Sequence, residues 1–280
     1  MVTESGSDIS AELAQRYNIQ IVPMHVTFGN VTKDDGAFPP EEIYAYYERT
    51  GTLPKTSGST PEDFKQVFGA IHSAHPQAHI LYMAYSAATT VSYQSAMIAA
   101  EDLDYVTGID TKHVSVGLAS VVVAMAQYLE ETPGVTVEQA VAAAKDICGH
   151  ARMCFIPNDL EYLRAGGRIS NVVYFLGGQL LHLHPRVELL DGRLVATKKY
   201  RGDYAKVIAE LIRGYSEENR LRKDHLWMLY TERLAPEERE RAEAAARACG
   251  FERVTWLRAN GVITTHGGPG AFAMAGQAED

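Results

Sequence analysis

The sequence predicts an α/β fold in two domains, an N-terminal domain built on a parallel sheet and a C-terminal α/β domain with a mixed or antiparallel sheet. Three observations predict it. Through the first half, short apolar runs alternate with helical stretches, the pattern of strands joined by crossover helices. In the second half, Leu189 to Val195 carries an Asp191-Gly192 pair between apolar residues, a hairpin signal. At 280 residues the chain has length for two domains of ordinary size. The boundary is placed between Cys148 and Pro157, giving domains 1–153 and 154–280, although no Gly/Ser-rich linker marks it and no internal repeat is present.

The elements follow in order. Ile19 to Phe28 reads as a strand, and Glu41 to Arg49 as a helix opened by Pro39-Pro40 and closed near Gly51. Thr60-Pro61-Glu62-Asp63 is a helix start, leading into Phe64, Val67, Phe68 and Ile71 at helical spacing. His79 to Ala84 is a short buried strand, Thr90 to Ala100 a helix, and Tyr105 to Ile109 another strand. Two helices follow, Val116 to Glu131 and Val137 to Ile147, the second with a capping box of Thr136 and Gln139. After the hairpin come a helix from Tyr204 to Tyr215, a strand from Leu226 to Tyr230, a charged helix from Pro236 to Ala248, and strands near Val254 and Val262. Parallel sheets bind ligands at the carboxyl ends of their strands, which directs attention to the loops after Phe28 and Ala84.

Composition narrows the function. A net charge of −9 argues against a nucleic-acid surface or a polybasic membrane anchor. The three cysteines, Cys148, Cys154 and Cys249, are an odd number without close pairing, and there is neither a signal-peptide pattern nor an apolar run of transmembrane length. The expectation is a cytoplasmic, reduced protein. His72, His75 and His79, and likewise His182 and His184, lack the further ligands that a metal site needs, so no metal is expected.

Four polar clusters stand where elements end. They are Lys55 to Pro61, Ser86 to Ala96, the segment Leu160 to Ser170 with Arg164-Ala165-Gly166-Gly167-Arg168 at its centre, and Thr264 to Gly270. Hydroxyls at helix starts can complete an anion cradle, and arginines around a glycine pair can converge on a carboxylate or phosphate. Each cluster read singly is also ordinary capping or turn chemistry.

Taken together, the order and spacing of these clusters resemble the DegV family. The resemblance runs from Val2-Thr3-Glu4-Ser5 to His266-Gly267-Gly268-Pro269-Gly270, and is most specific at Pro54-Lys55-Thr56-Ser57, Tyr93-Gln94-Ser95-Ala96 and Arg164 to Ile169. It implies a long-chain fatty acid buried between the two domains, with no catalytic residue of the chain's own. The ATP would be bound by a separate kinase subunit, which phosphorylates the presented carboxylate to an acyl phosphate. By the same resemblance Thr56, Thr90, Ser92, His266 and Gly267 would hold the carboxylate, and Arg168 and Arg201 would serve the kinase partner and its phosphate transfer. No cofactor is implied beyond the fatty acid. Transient membrane contact fits such cargo; nucleic acid does not.

The chain departs from the family pattern at identifiable places. Thr90-Val91-Ser92 stands where the family reads Ser-Gly-Thr, and valine lacks glycine's backbone freedom, so a reshaped loop or a shifted carboxylate is expected. Thr89 replaces an apolar residue, His184-Pro185-Arg186 replaces Lys-Pro-apolar, and Glu4 replaces an aspartate after a first strand that the sequence nearly lacks. Tunnel candidates are Met24, Val26 and Phe28 on one strand face, and Val172, Tyr174, Phe175 and Leu176. The rival reading from another class, a serine hydrolase using Ser86 or Ser95 with His266, has no Gly-x-Ser-x-Gly elbow behind it. A third keeps the fold and exchanges the ligand for a different amphipathic carboxylate.

Overall fold

A computed structural model describes residues 1–165 and 183–279. The predicted α/β architecture is present, as three sheets rather than two. Strands β1 (Val2–Glu4), β2 (Gln20–Val22), β6 (Ile80–Ala84) and β7 (Val106–Asp110) form an all-parallel sheet in the order β2-β1-β6-β7. A small antiparallel sheet, β4-β3-β5, comprises β3 (His25–Phe28), β4 (Val31–Asp34) and β5 (Lys55–Ser57). The third, a mixed sheet of six strands, runs β10-β9-β8-β13-β11-β12. Its members are β8 (Ala151–Ile156), β9 (Leu183–Leu190), β10 (Arg193–Arg201), β11 (His225–Tyr230), β12 (Arg253–Arg258) and β13 (Phe272–Gln277), antiparallel except for the parallel pair β11 and β12.

Several local rules explain the helices. Helix α2 (Glu41–Thr50) follows α1 (Ala11–Arg16) and stops at Gly51, whose φ of 67° closes it in the left-handed conformation that glycine favours. Helix α3 (Pro61–Ala74) opens with a reciprocal capping box between Thr60 and Asp63, and α6 (Val137–His150) with one between Thr136 and Gln139. Between them lie α4 (Ser92–Ala99) and α5 (Ser115–Glu131). Helix α5 is buried along most of its length because it lies across the inner face of the mixed sheet, touching β8, β11 and β13. The short α7 (Leu160–Ala165), the amphipathic α8 (Tyr204–Glu218) and the charged α9 (Pro236–Ala248) follow. The Asp191-Gly192 turn has φ of 48° and 76°, the two left-handed residues of a tight hairpin, and pairs Leu190 with Arg193.

Four expectations need correction. The first strand is not nearly absent: β1 is fully buried at the centre of the parallel sheet, flanked by β2 and β6. Three residues suffice because both of its edges are paired. The run Ile19 to Phe28 is two strands in two different sheets, broken at Pro23-Met24, where proline removes a ladder donor and the Met24 N–H donates to Ser5 Oγ at 2.9 Å. The loop after Phe28 is a hairpin turn into β4, with Gly29 at φ 62°, and stays clear of the ligand cavity. Finally, the region of Val262 is not a strand but a helix, α10 (Gly261–Gly267). Its Val-Ile-Thr-Thr run favours a strand, and contacts from the N-terminal half override that preference.

Candidate functional site

Between the parallel sheet's carboxyl end and the inner face of the mixed sheet lies a mainly apolar cavity, about 860 Å³ of space between atoms with its open mouth included. One wall is the mixed sheet. Residues on alternating positions of its strands face α5: Met153 and Phe155 on β8, Leu229 on β11, Ala273 on β13. The run Ala271-Phe272-Ala273-Met274-Ala275 alternates small and large residues: Ala271 and Ala273 line the cavity, Phe272 borders it as well, and Phe272 and Met274 belong to the core behind the sheet. The opposite wall comes from the N-terminal half, with Met24, Tyr85, Val114 and Ser115.

The polar end is assembled from both halves. Thr56 on β5 and His266 on α10 meet with Oγ1 and Nε2 2.9 Å apart, although 210 residues separate them in the chain. Gly58 brings the neighbouring loop in: a Cβ there would lie 2.5 Å from both the Thr90 and the Ser92 hydroxyl oxygens, so only glycine allows the approach. Thr89, Thr90 and Gly267 complete the lining at this end. Three threonines, an imidazole and a glycine backbone thus line the polar end of an apolar space.

Helix α10, which carries His266, is too short to hold itself and is pinned at both ends. At its start the Asn260 N–H donates to Asp8 Oδ1 at 2.7 Å and the Val262 N–H to Asp35 Oδ1 at 3.0 Å, carboxylates at a helix N-terminus where they are favoured. Ser115 and Ser5 hydroxyls donate to the other oxygens of Asp8 and Asp35. Burial pushes both carboxyls above their usual range, against these hydrogen bonds. At its end the Thr231 hydroxyl donates to the Gly268 carbonyl at 2.6 Å and accepts from the Ala271 N–H at 2.8 Å. Gly268 has φ 70°, and a Cβ on it would lie 2.9 Å from the Tyr162 ring.

A third buried acid supports the opposite wall. Glu4 receives the Tyr82 hydroxyl on Oε1 at 2.5 Å and the Tyr85 N–H on Oε2 at 3.0 Å. Burial raises its pKa to about 7, only partly offset by those two donors.

The sequence-based site residues distribute unevenly. Thr56, Thr90, His266 and Gly267 line the cavity together. Ser92 lies one layer behind it: its oxygen accepts the Ser59 N–H at 3.0 Å and lies 3.2 Å from Thr90 Oγ1, making it a brace for the loop. Arg201, at the end of β10 opposite Leu183, is exposed and does not line the cavity. Arg168 and the tunnel candidates Val172 to Leu176 fall outside the described residues. Of the strand-face candidates only Met24 lines the cavity; Val26 is core, and Phe28 packs edge-on against Phe38 and Tyr46. Val91 sits at φ −86°, ψ 0°, on the negative-φ side that does not require glycine, and is 64% exposed. Ser86, proposed in the hydrolase reading, donates to the Gly192 carbonyl at 2.8 Å.

Sequence reasoning missed Asp8, Asp35, Tyr85, Ser115 and Thr231. Only the small-large alternation of β13 carried a legible signal. Among the described residues no group of three His, Cys, Asp or Glu is arranged to hold a metal, and no helix is long and apolar enough to cross a membrane. His72 instead stacks on Tyr105, and His79 bonds the Thr107 hydroxyl at 2.8 Å.

A mixed sheet and a parallel sheet enclosing an apolar cavity with a Thr-His polar end define an α/β fold with a cavity between its sheets. The chain belongs to the DegV family, whose model, described as that of an uncharacterised protein family, matches residues 1–279. A DegV-family protein of Thermus thermophilus, whose structure is described for its fatty acid binding, is similar with a TM-score of 0.87 and 28% identity, covering 99% of this chain and 98% of that one. A DegV domain-containing protein of Deinococcus radiodurans is 28% identical over 280 residues, 98% of this chain and 96% of its own. A protein of Thermotoga maritima named a fatty acid-binding protein is 25% identical over 223 residues, 78% of this chain and 76% of its own.

Proposed function

We propose that this chain binds one long-chain fatty acid in the cavity and presents its carboxylate at the mouth to a separate kinase subunit. The observation that carries the reading is the Thr56–His266 contact of 2.9 Å at the polar end of an otherwise apolar space. A carboxylate leaving water must be paired or hydrogen-bonded, and the Thr56, Thr90 and His266 side chains supply such partners, with Ser92 and Gly267 shaping the loops that hold them. The tail supplies the driving force. Burying a methylene contributes about 0.8 kcal/mol, so some fifteen give roughly 12 kcal/mol before ordering costs. Fatty acid binding in the relatives from Thermus and Thermotoga supports the same reading.

The chain supplies no catalytic residue in this proposal. ATP belongs to the kinase subunit, and Arg168 and Arg201 engage that partner and the acyl phosphate it forms. The exposed Arg201 side chain is free to do so without touching the cavity. Domains 1–153 and 154–280, a cytoplasmic setting and brief contact with a membrane during loading belong to the same proposal.

Displacement of a fluorescent fatty acid tests the head-group assignment. Palmitate should compete and its methyl ester should compete at least tenfold less well, since a hydrogen bond to a charged group contributes about 1.5–3 kcal/mol. Equal competition by acid and ester would refute the carboxylate site. For the partner role, Arg201→Ala should keep fatty acid affinity and lose phosphoryl transfer by the kinase subunit; full transfer would remove Arg201 from it.

A further inference from the structure

We propose that Met153, seated against Gly117, closes the deep end of the cavity and sets the length of acyl chain the protein accepts. The inference rests on the fatty-acid reading above and adds to it the residue that measures the tail.

Strand register orders the wall by depth. At the mouth, the Thr231 N–H donates to the Ala271 carbonyl at 3.1 Å, beside the Gly267–Gly268 turn. The next cavity-facing row is Leu229, Ala273 and Phe155, with Ala273 paired to Leu229 on one side and to Phe155 on the other and all three lining the space. The row beyond is Trp227, Ala275 and Met153. Of these three only Met153 lines the cavity. From Ala271 to Ala275 the strand advances about 13 Å, at roughly 3.3 Å per residue.

What stops the cavity there is a side-chain contact across two elements. Helix α5 crosses the inner face of the sheet, and its Gly117 meets Met153: a Cβ at 117 would lie 2.8 Å from the Met153 Sδ and 2.9 Å from its Cγ. Both backbones are fixed. The Tyr215 hydroxyl donates to the Met153 carbonyl at 2.9 Å, and the Ser120 hydroxyl to the Gly117 carbonyl at 2.8 Å. The thioether is therefore the movable part, an unbranched chain with three rotatable bonds resting in a notch that glycine leaves open. Its volume decides where the last methyl of a ligand stops.

Two substitutions then act in opposite directions. Met153→Ala removes the stop and should shift the preferred ligand about two methylenes longer. Gly117→Ala crowds the thioether out of its notch toward the cavity and should shift preference shorter. Each methylene gained or lost changes relative occupancy about fourfold. In the double variant the new methyl at 117 keeps a contact of 3.1 Å with the Cβ of residue 153 but has no thioether to displace, so its profile should match that of Met153→Ala.

The test offers wild type and the three variants an equimolar mixture of saturated fatty acids from dodecanoic to eicosanoic acid and reads the bound species by native mass spectrometry. Opposite shifts in the single variants, with the double variant following Met153→Ala, are the expected result. Unchanged profiles in variants that bind as much lipid as wild type would overturn the ruler while leaving the fatty-acid reading intact. A wild type that takes up none of the mixture would overturn that reading itself and the ruler with it.

Discussion

The two ends of the cavity are built by different means. The mouth depends on residues from opposite halves of the chain, Thr56 and His266, brought together with Asp8 and Asp35 of the N-terminal half holding the start of the histidine's helix and Thr231 its end. The deep end is made within one sheet and one helix, from Ala273, Phe155 and Met153 of the sheet, with Gly117 of α5 against Met153. On the proposed reading, recognition of the head would follow from how the halves dock and accommodation of the tail from local side-chain volume. Substitutions at the two ends should have separable consequences.

The largest effect should come from filling the tail end. Ala273→Phe projects a ring into the space beside Phe155 and Leu229, and should lower fatty acid affinity at least about a hundredfold, the equivalent of several methylenes at about 0.8 kcal/mol each. The far-ultraviolet circular dichroism should stay unchanged. Retained affinity in a folded variant would mean that the chain lies elsewhere.

The N-terminal wall can be probed through Glu4. Its carboxyl has a pKa of about 7 when folded against 4.5 unfolded, so the stability it contributes is whole below pH 4.5 and is lost as pH rises through 7. The ionised form then costs about 3 kcal/mol at alkaline pH. Urea unfolding should show wild type losing stability across that window and Glu4→Gln losing much less. Parallel pH profiles for the two would show that Glu4 is not the titrating group.

Smaller effects are expected at the mouth. His266→Ala should weaken binding of the acid roughly ten- to a hundredfold and leave the methyl ester unaffected, as loss of a hydrogen bond to a charge predicts. Thr56→Val, which keeps the shape and removes the hydroxyl, should cost about fivefold. An equal loss for acid and ester in either variant would assign these residues to packing and erase the distinction between the two ends.

That distinction also explains what could be read from the sequence. Features set by neighbours in the chain were legible: the helix start at Thr60 to Asp63, the Thr136–Gln139 box, the Asp191-Gly192 turn, the start of the charged helix at Pro236. Features set by distant partners were not. The run Gly261 to Gly267 reads as a strand because its β-branched residues prefer one, and it becomes a helix because two buried carboxylates from residues 8 and 35 cap it. Strand β1 is three residues long and shows no periodicity, its place being fixed by β2 and β6 on either side. At the candidate site, Thr56, Thr90, His266 and Gly267, named through the family resemblance, line the cavity, and Ser92 accepts the Ser59 N–H beside it. The tail end had no motif to find, because alanine and methionine acquire meaning there only through register.

The central claim is that the space between the two sheets is a fatty acid site. Native mass spectrometry of the purified protein, followed by organic extraction and identification of what co-purifies, tests it most directly. The account predicts one long-chain fatty acid per chain, absent from Ala273→Phe. A protein that carries no lipid and takes up none when fatty acid is added would contradict it.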